Sequence, residues 1–274
     1  MVPVTLALTH TGDGPALVLV HGVGATRSIW ARVVEQLADG HAVTAVDLPG
    51  FGDSPPVGPG FDLDEVADAV AEGLAAAGVP RPFALVGHSL GGAVALTLAH
   101  RHPDMVDRLV LVAPAGLSPR PPWLAEAFGL AASVLVPVRR LAGGPLVGSA
   151  AARALMLTGT VHDGARLHPD DARIILGASA RAVRLREGIV AVAAADLRPL
   201  LVGLTAPPGL VWGERDAVVP ADGLDAVRAL RPDARARLLP GTGHVPMLEA
   251  PAAFADALES VLGATGGDAP IATG

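Results

Sequence analysis

Apolar positions in this chain fall in short dense runs separated by longer amphipathic stretches. Leu17–His21, Ala42–Val46, Phe83–Gly87, Leu109–Val112, Leu210–Trp212 and Arg235–Leu239 are the dense runs. Runs of this kind suit strands covered on both faces of a parallel sheet, because a half-exposed strand would alternate apolar and polar residues. Val4–His10 reads as one further strand ahead of them. Helical spacing lies between. Leu63–Ala77 has Asp62 placed as an N-cap, with Gly78 and Pro80 to stop it. Gly91–His100, Ala221–Leu230 and Ala252–Leu262 are the other helices. The alternation predicts an α/β fold with a doubly wound, mostly parallel sheet and helices on both faces. Ligands of such sheets bind at the carboxyl ends of the strands, so the residues just after each strand matter most.

The rhythm breaks between Gly116 and Arg181, a stretch rich in Ala, Leu and Pro that is too long for an ordinary loop. It is expected to be a helical cap over the strand ends. The predicted organisation is a core of residues 1–115 and 182–262, a cap of residues 116–181 and a flexible tail of residues 263–274.

The residues after the third run are Gly87-His88-Ser89-Leu90-Gly91, a G-x-S-x-G sequence between a strand and a helix. A sharp turn at that point exposes a serine hydroxyl, and small flanking residues let strand and helix cross closely. The helix N-terminus also favours negative charge developing beside Ser89. A serine hydroxyl is a weak nucleophile and needs a base. His244 stands in Gly243-His244-Val245-Pro246, just after the last strand. Asp216, in Trp212-Gly213-Glu214-Arg215-Asp216, is the carboxylate expected to orient that histidine, with Glu214 as the competing acid. The expected oxyanion donors are the N–H groups of Leu90, which follows the serine, and of Val23, in the glycine turn after His21. His21 itself reads as a structural histidine shaping that turn. Asp47–Ser54 reads as a glycine-rich loop packed beside the site, and Arg139-Arg140 as a solvated cap edge.

These pieces together resemble the α/β-hydrolase superfamily, and within it the esterase-like group with a short HG oxyanion turn. The matching segments are His21-Gly22, Asp47–Ser54, Gly87–Gly92, Trp212–Asp216 and Gly243–Pro251, in the family's order. The resemblance implies a serine hydrolase that cleaves a carboxylic ester or thioester through an acyl-enzyme on Ser89. Epoxide hydrolases and haloalkane dehalogenases are similar but carry Asp at the elbow. Carbon–carbon bond hydrolases and cofactor-free haloperoxidases or perhydrolases share the triad and stay as alternatives, as does a ligand-binding accessory protein on the same fold.

Composition narrows the partners. The net charge is −7, from 20 basic and 27 acidic residues, and no basic stripe is present. Nucleic acid is therefore not expected as a partner. The longest apolar stretch is interrupted by Glu126, Gly129 and Pro137, so integral membrane association is not expected either. Cysteine, lysine and tyrosine are absent, which removes thiolate metal sites and any Lys or Tyr base. No cofactor and no metal are expected. Arg27 is the first basic residue, unlike the start of a secretory leader, and a cytoplasmic location is expected. The expected state is a monomer or homodimer acting on a small lipophilic molecule. In the cap, Trp123 and Phe128 belong to an apolar helical stripe and are the expected lining of the substrate pocket.

Overall fold

Strand side chains alternate between the two faces of a sheet, and here both faces are covered. Leu17 and Leu19 pack into one apolar cluster with Trp30, Leu37, Phe254 and Leu258. Val18 and Val20 pack into the other, with Val66, Val70, Leu96 and Trp212. That two-sided burial is why the runs carry almost no polar residues. The computed structural model describes residues 5–118 and 121–263. Apart from Gly263, the predicted tail lies outside the described residues.

Seven strands form one sheet: β1 (Leu8–Thr11), β2 (Ala16–Val20), β3 (Ala42–Val46), β4 (Phe83–His88), β5 (Val106–Val112), β6 (Gly209–Gly213) and β7 (Arg235–Leu239). Their order is β1-β3-β2-β4-β5-β6-β7. Only β1 runs antiparallel, against β3; the other pairs are parallel. The sheet is thus mostly parallel, as the runs predicted. The winding reverses between β2 and β4, whose carboxyl ends lie side by side with Val20 opposite Gly87. This is the topological switch point, where an open α/β sheet leaves a crevice.

Among the core helices, α1 (Val34–Ala38) and α2 (Leu63–Ala76) flank β3, and α3 (Leu90–Arg101) follows β4. Asp62 caps α2 by accepting from the N–H groups of Asp64 and Glu65 at 2.9 and 3.0 Å, so the predicted cap is in place. Between β5 and β6 comes a helical insertion: α4 (Pro122–Leu146), α5 (Ala150–Met156), α6 (Pro169–Ala178), α7 (Leu185–Ala194) and α8 (Arg198–Val202). The chain ends in α9 (Gly223–Leu230), α10 (Pro246–Glu249) and α11 (Pro251–Gly263), with β7 between α9 and α10. No helix of the described residues is long and apolar enough to cross a membrane.

Helix α4 packs through its small residues. Ala125 is fully buried, and Gly129 lies against Val190 and Arg186 of α7 so closely that a Cβ would sit 2.7 Å from Val190. The opposite stripe, including Trp123, Leu130, Val134 and Leu141, is mostly exposed. The base of the insertion is tied to the core where the Leu197 N–H donates to the Gly116 carbonyl at 2.9 Å.

Candidate active site

Ser89 sits in the turn from β4 into α3 with φ 54° and ψ −118°, a backbone conformation that L-residues rarely adopt. The neighbours explain how the chain holds it there. Gly87 faces Ala95 and the Gly91 carbonyl, and Gly91 faces the backbone of Val20 and His21. Strand, turn and helix cross too closely for side chains at those two positions. Ser89 is the N-cap of α3, so the first free N–H groups of that helix begin beside it.

His244 lies in the loop after β7 and Asp216 in the loop after β6. The His244 Nδ1 is 2.7 Å from Asp216 Oδ2, with both side chains buried. The other Asp216 oxygen accepts from the N–H groups of Val218 and Val219 at 2.8 and 2.9 Å. Both carboxylate oxygens are therefore committed, and the acceptor facing Nδ1 places the proton there, leaving Nε2 of neutral His244 as an acceptor. Glu214 takes a different role: it accepts from the Gly241 N–H at 3.1 Å and is partly exposed beside Arg215. The two loops are joined by the Arg215 N–H donating to the Thr242 carbonyl at 2.8 Å. Gly213 and Gly243 meet back to back, where a Cβ on Gly213 would strike the Gly243 carbonyl.

Ser89, His88, His244, Val23 and Val218 line one cavity of 250 Å³ at the switch point. The insertion supplies its other walls through Val136 of α4, Thr160, and Ile174, Ile175 and Ala178 of α6. A second cavity of 170 Å³ adjoins it and shares Val23, Gly24, Val136, Thr160 and Ile175. Its further walls are largely apolar, including Met156, Leu157, Leu185 and Ile189, with Arg139 beside them. Arg139 is half-buried there and does not lie on a solvated edge as its sequence position suggested; the Arg140 side chain is outside the described residues. A larger crevice of 610 Å³ beside Arg32, His168 and Glu249 contains neither Ser89 nor His244.

The structure does not bring Trp123 and Phe128 to this cavity. They are 71% and 47% exposed, on faces of α4 turned away from the site, and α4 contributes Val136 instead. The expectation failed because an apolar stripe does not say which side of a helix packs. Here the face of small residues, Ala125 and Gly129, takes the close contact.

The two expected oxyanion donors lie on either side of Ser89. Leu90 opens α3 and Val23 lies in the turn after β2. Neither N–H is taken by an acceptor among the described residues. His21 is fully buried: its Nδ1–H donates to the Gly22 carbonyl at 2.7 Å and its Nε2 accepts from the Leu48 N–H at 3.0 Å. It shapes the turn and does not line the cavity, as its strand-end position implied. Asp47 is equally buried and binds the Arg27 guanidinium, the Arg27 N–H at 2.6 Å and the Asp53 N–H at 2.9 Å. The loop it closes packs against His21, which shapes the turn after β2.

Sequence reasoning missed His88 and Glu249. The His88 Nε2–H donates to the His244 carbonyl at 2.7 Å, and its ring lies 4.7 Å from the His244 ring and edge-on to Trp30. Glu249 accepts from the N–H groups of Gly243 and Val245, one on each side of His244. A carboxylate in the apolar run Val245–Ala250 was the available signal, because a buried acid needs partners.

Burial dominates the electrostatics of the two structural histidines. It pushes His21 down to about 4, partly offset by the Gly22 carbonyl and Asp47. It also holds His88 well below the usual histidine range, helped by the neighbouring His244. Both are neutral in the fold but take up a proton when unfolded, near pH 6.5. Their contribution is therefore complete above about pH 6.5 and is lost as pH falls toward the folded values. For His21, lowering pH from 7 to 5 should cost about 2 kcal/mol of stability; His88 acts in the same direction. Glu249, raised by burial, works in the opposite direction, since its penalty is relieved as pH falls. Urea unfolding of the wild-type chain and of His21→Asn at the two pH values isolates the histidine contribution; the same pH dependence in both would contradict the neutral assignment of His21.

A model of the Alpha/beta hydrolase family matches residues 17–257, nearly the whole chain. The chain belongs to that family. This hydrolase is 36% identical over 247 residues to the pimeloyl-[acyl-carrier protein] methyl ester esterase of Chromobacterium violaceum, covering 90% of the chain and 94% of the relative. It is 31% identical over 267 residues to the esterase of the same description from Aeromonas hydrophila, covering 94% of the chain and all of the relative. Among solved structures, a thermophilic esterase from Thermogutta terrifontis superposes with a TM-score of 0.76 at 27% identity, covering 94% of this chain and 92% of that one. By name, all three are esterases.

Proposed function

We propose that this hydrolase cleaves carboxylic esters of small lipophilic acids through an acyl-enzyme on Ser89. The observation that carries the reading is that His244, paired with Asp216 behind it, lines the same cavity as Ser89. In the proposed reaction, Nε2 of His244 removes the Ser89 proton as Oγ attacks the ester carbonyl. The N–H groups of Val23 and Leu90 receive the oxyanion, and protonated His244 then gives its proton to the departing alcohol. A water activated by the same imidazole hydrolyses the acyl-enzyme and regenerates Ser89. Asp216 holds the ring and stabilises imidazolium throughout. The esterase relatives support this reading over carbon–carbon bond cleavage and perhydrolysis.

The adjoining apolar cavities support a medium-length acyl group, because the walls beyond the reacting centre offer branched side chains and few polar partners. Val136 lines both cavities. Filling that position should reject long chains more than short ones. In a panel of p-nitrophenyl esters, Val136→Phe should lower kcat/KM for octanoate by about 10-fold or more and for acetate by less than about threefold. Melting temperature should change little. Equal losses on both esters would contradict the acyl placement, and no turnover of any ester by the wild-type chain would contradict the proposed function itself.

A further inference from the structure

Glu249 closes α10 behind three buried residues, Pro246, Met247 and Leu248. Its carboxylate is the meeting point of three backbone N–H groups. Those of His162 and Gly243 reach Oε2 at 2.8 and 2.9 Å, and that of Val245 reaches Oε1 at 3.2 Å. Gly243 and Val245 flank His244, and His162 belongs to the insertion. The remaining backbone groups around His244 are also held: its N–H donates to the Thr160 carbonyl at 3.0 Å, and its carbonyl accepts from His88 at 2.7 Å.

We infer that Glu249 is a positioning residue for His244, fixing the imidazole by clamping the peptide groups on both sides of it to the insertion loop at residues 160–162. The inference rests on the reading of His244 as the base for Ser89. The bond from His244 to Asp216 sets only how the ring turns; where the ring sits depends on its Cα, and that is set by the loop. Three N–H groups converge on one side chain, two on Oε2 and one on Oε1, and a carboxylate accepts from all of them without presenting a donor. A glutamine there would turn an NH₂ group toward one of these donors and leave it unpaired. The close approach is built into the chain, since a Cβ on Gly243 would sit 2.6 Å from the His162 nitrogen. Misplacing a catalytic group by about 1 Å can cost 100-fold in rate.

The test compares Glu249→Gln with the wild-type chain, and uses Glu249→Asp, which keeps the charge one methylene short, should the glutamine variant not fold. Two readouts are taken on folded protein: the rate of labelling by a fluorophosphonate, and the downfield proton resonance of the His244 Nδ1–H bond to Asp216. The expected result is labelling slowed by about 10–100-fold, KM for a short ester nearly unchanged, and the resonance broadened or lost. A contact that serves stability alone would lower the melting temperature and leave both readouts unchanged per folded molecule; that result overturns the inference. If the wild-type chain is not labelled at all, the hydrolase reading fails and the resonance decides. Its loss in the variant upholds the clamp, and its persistence overturns it.

Discussion

Ser89→Ala lowers kcat on a p-nitrophenyl ester by about 10⁶-fold, with KM little changed, if Ser89 is the nucleophile. His244→Ala should do about the same, and Asp216→Asn should cost on the order of 10⁴-fold, because the asparagine turns the imidazole to the wrong tautomer. The double variant Ser89→Ala/His244→Ala should be no worse than either alone, since the two act in one step. The structure adds a discriminating control. Glu214 contacts Gly241 and Arg215, not His244, so Glu214→Gln should retain activity to within a few-fold. Steady-state kinetics measures all five. Near-native turnover by Ser89→Ala, or a larger loss in Glu214→Gln than in Asp216→Asn, would reject the assignment.

Gly91→Ala should be among the most damaging single methyl additions at the described residues. A Cβ there would strike the His21 carbonyl and lie 2.6 Å from the Val20 carbonyl oxygen and 2.9 Å from its carbon. All three are backbone atoms of β2 and the turn after it, in the centre of the sheet, so no side chain can swing aside. Helix α3 would have to lift off the sheet, or β2 would have to shift against β4. Overpacking of this kind costs about 3 kcal/mol or more, which lowers Tm by about 10 °C in a domain of this size. The same displacement would move Leu90 N–H away from the turn that carries Val23, so activity should fall beyond the loss of folded protein. Gly177→Ala is the matched control: it lies in α6 with nothing within 4 Å of the added carbon. There the substitution should be neutral or stabilising by up to about 1 kcal/mol. A Gly91→Ala protein as stable and active as the wild type would mean that the elbow is not packed as described.

These two effects also mark what could be read in the chain before its structure. Leu17–His21 and Phe83–Gly87 announced buried parallel strands because every second residue faces a different apolar cluster, and both clusters demand apolar side chains. Gly87, Gly91 and Ser89 were legible because a strand-to-helix turn imposes local spacing. His244 and Asp216 were legible because each directly follows a strand end, where topology delivers it to one edge. The cap was not. Ile174 and Ile175 reach the cavity through the fold of the whole insertion, and no local period distinguishes them from Trp123 and Phe128, which face outward. Glu249 was hidden for a similar reason: its partners come from residues 162, 243 and 245, and only the tertiary meeting of two loops gives the carboxylate its work. Short-range rules located the candidate site, and long-range packing decided what surrounds it.

The central claim is that one serine hydroxyl, Ser89, is activated for covalent attack. Incubation with a fluorophosphonate followed by intact-mass measurement and peptide mapping tests it most directly. The account predicts a single phosphonyl adduct on the peptide containing Ser89, formed at a rate that falls by orders of magnitude in His244→Ala and absent in Ser89→Ala. No adduct, or an adduct that persists in Ser89→Ala on another residue, would contradict it.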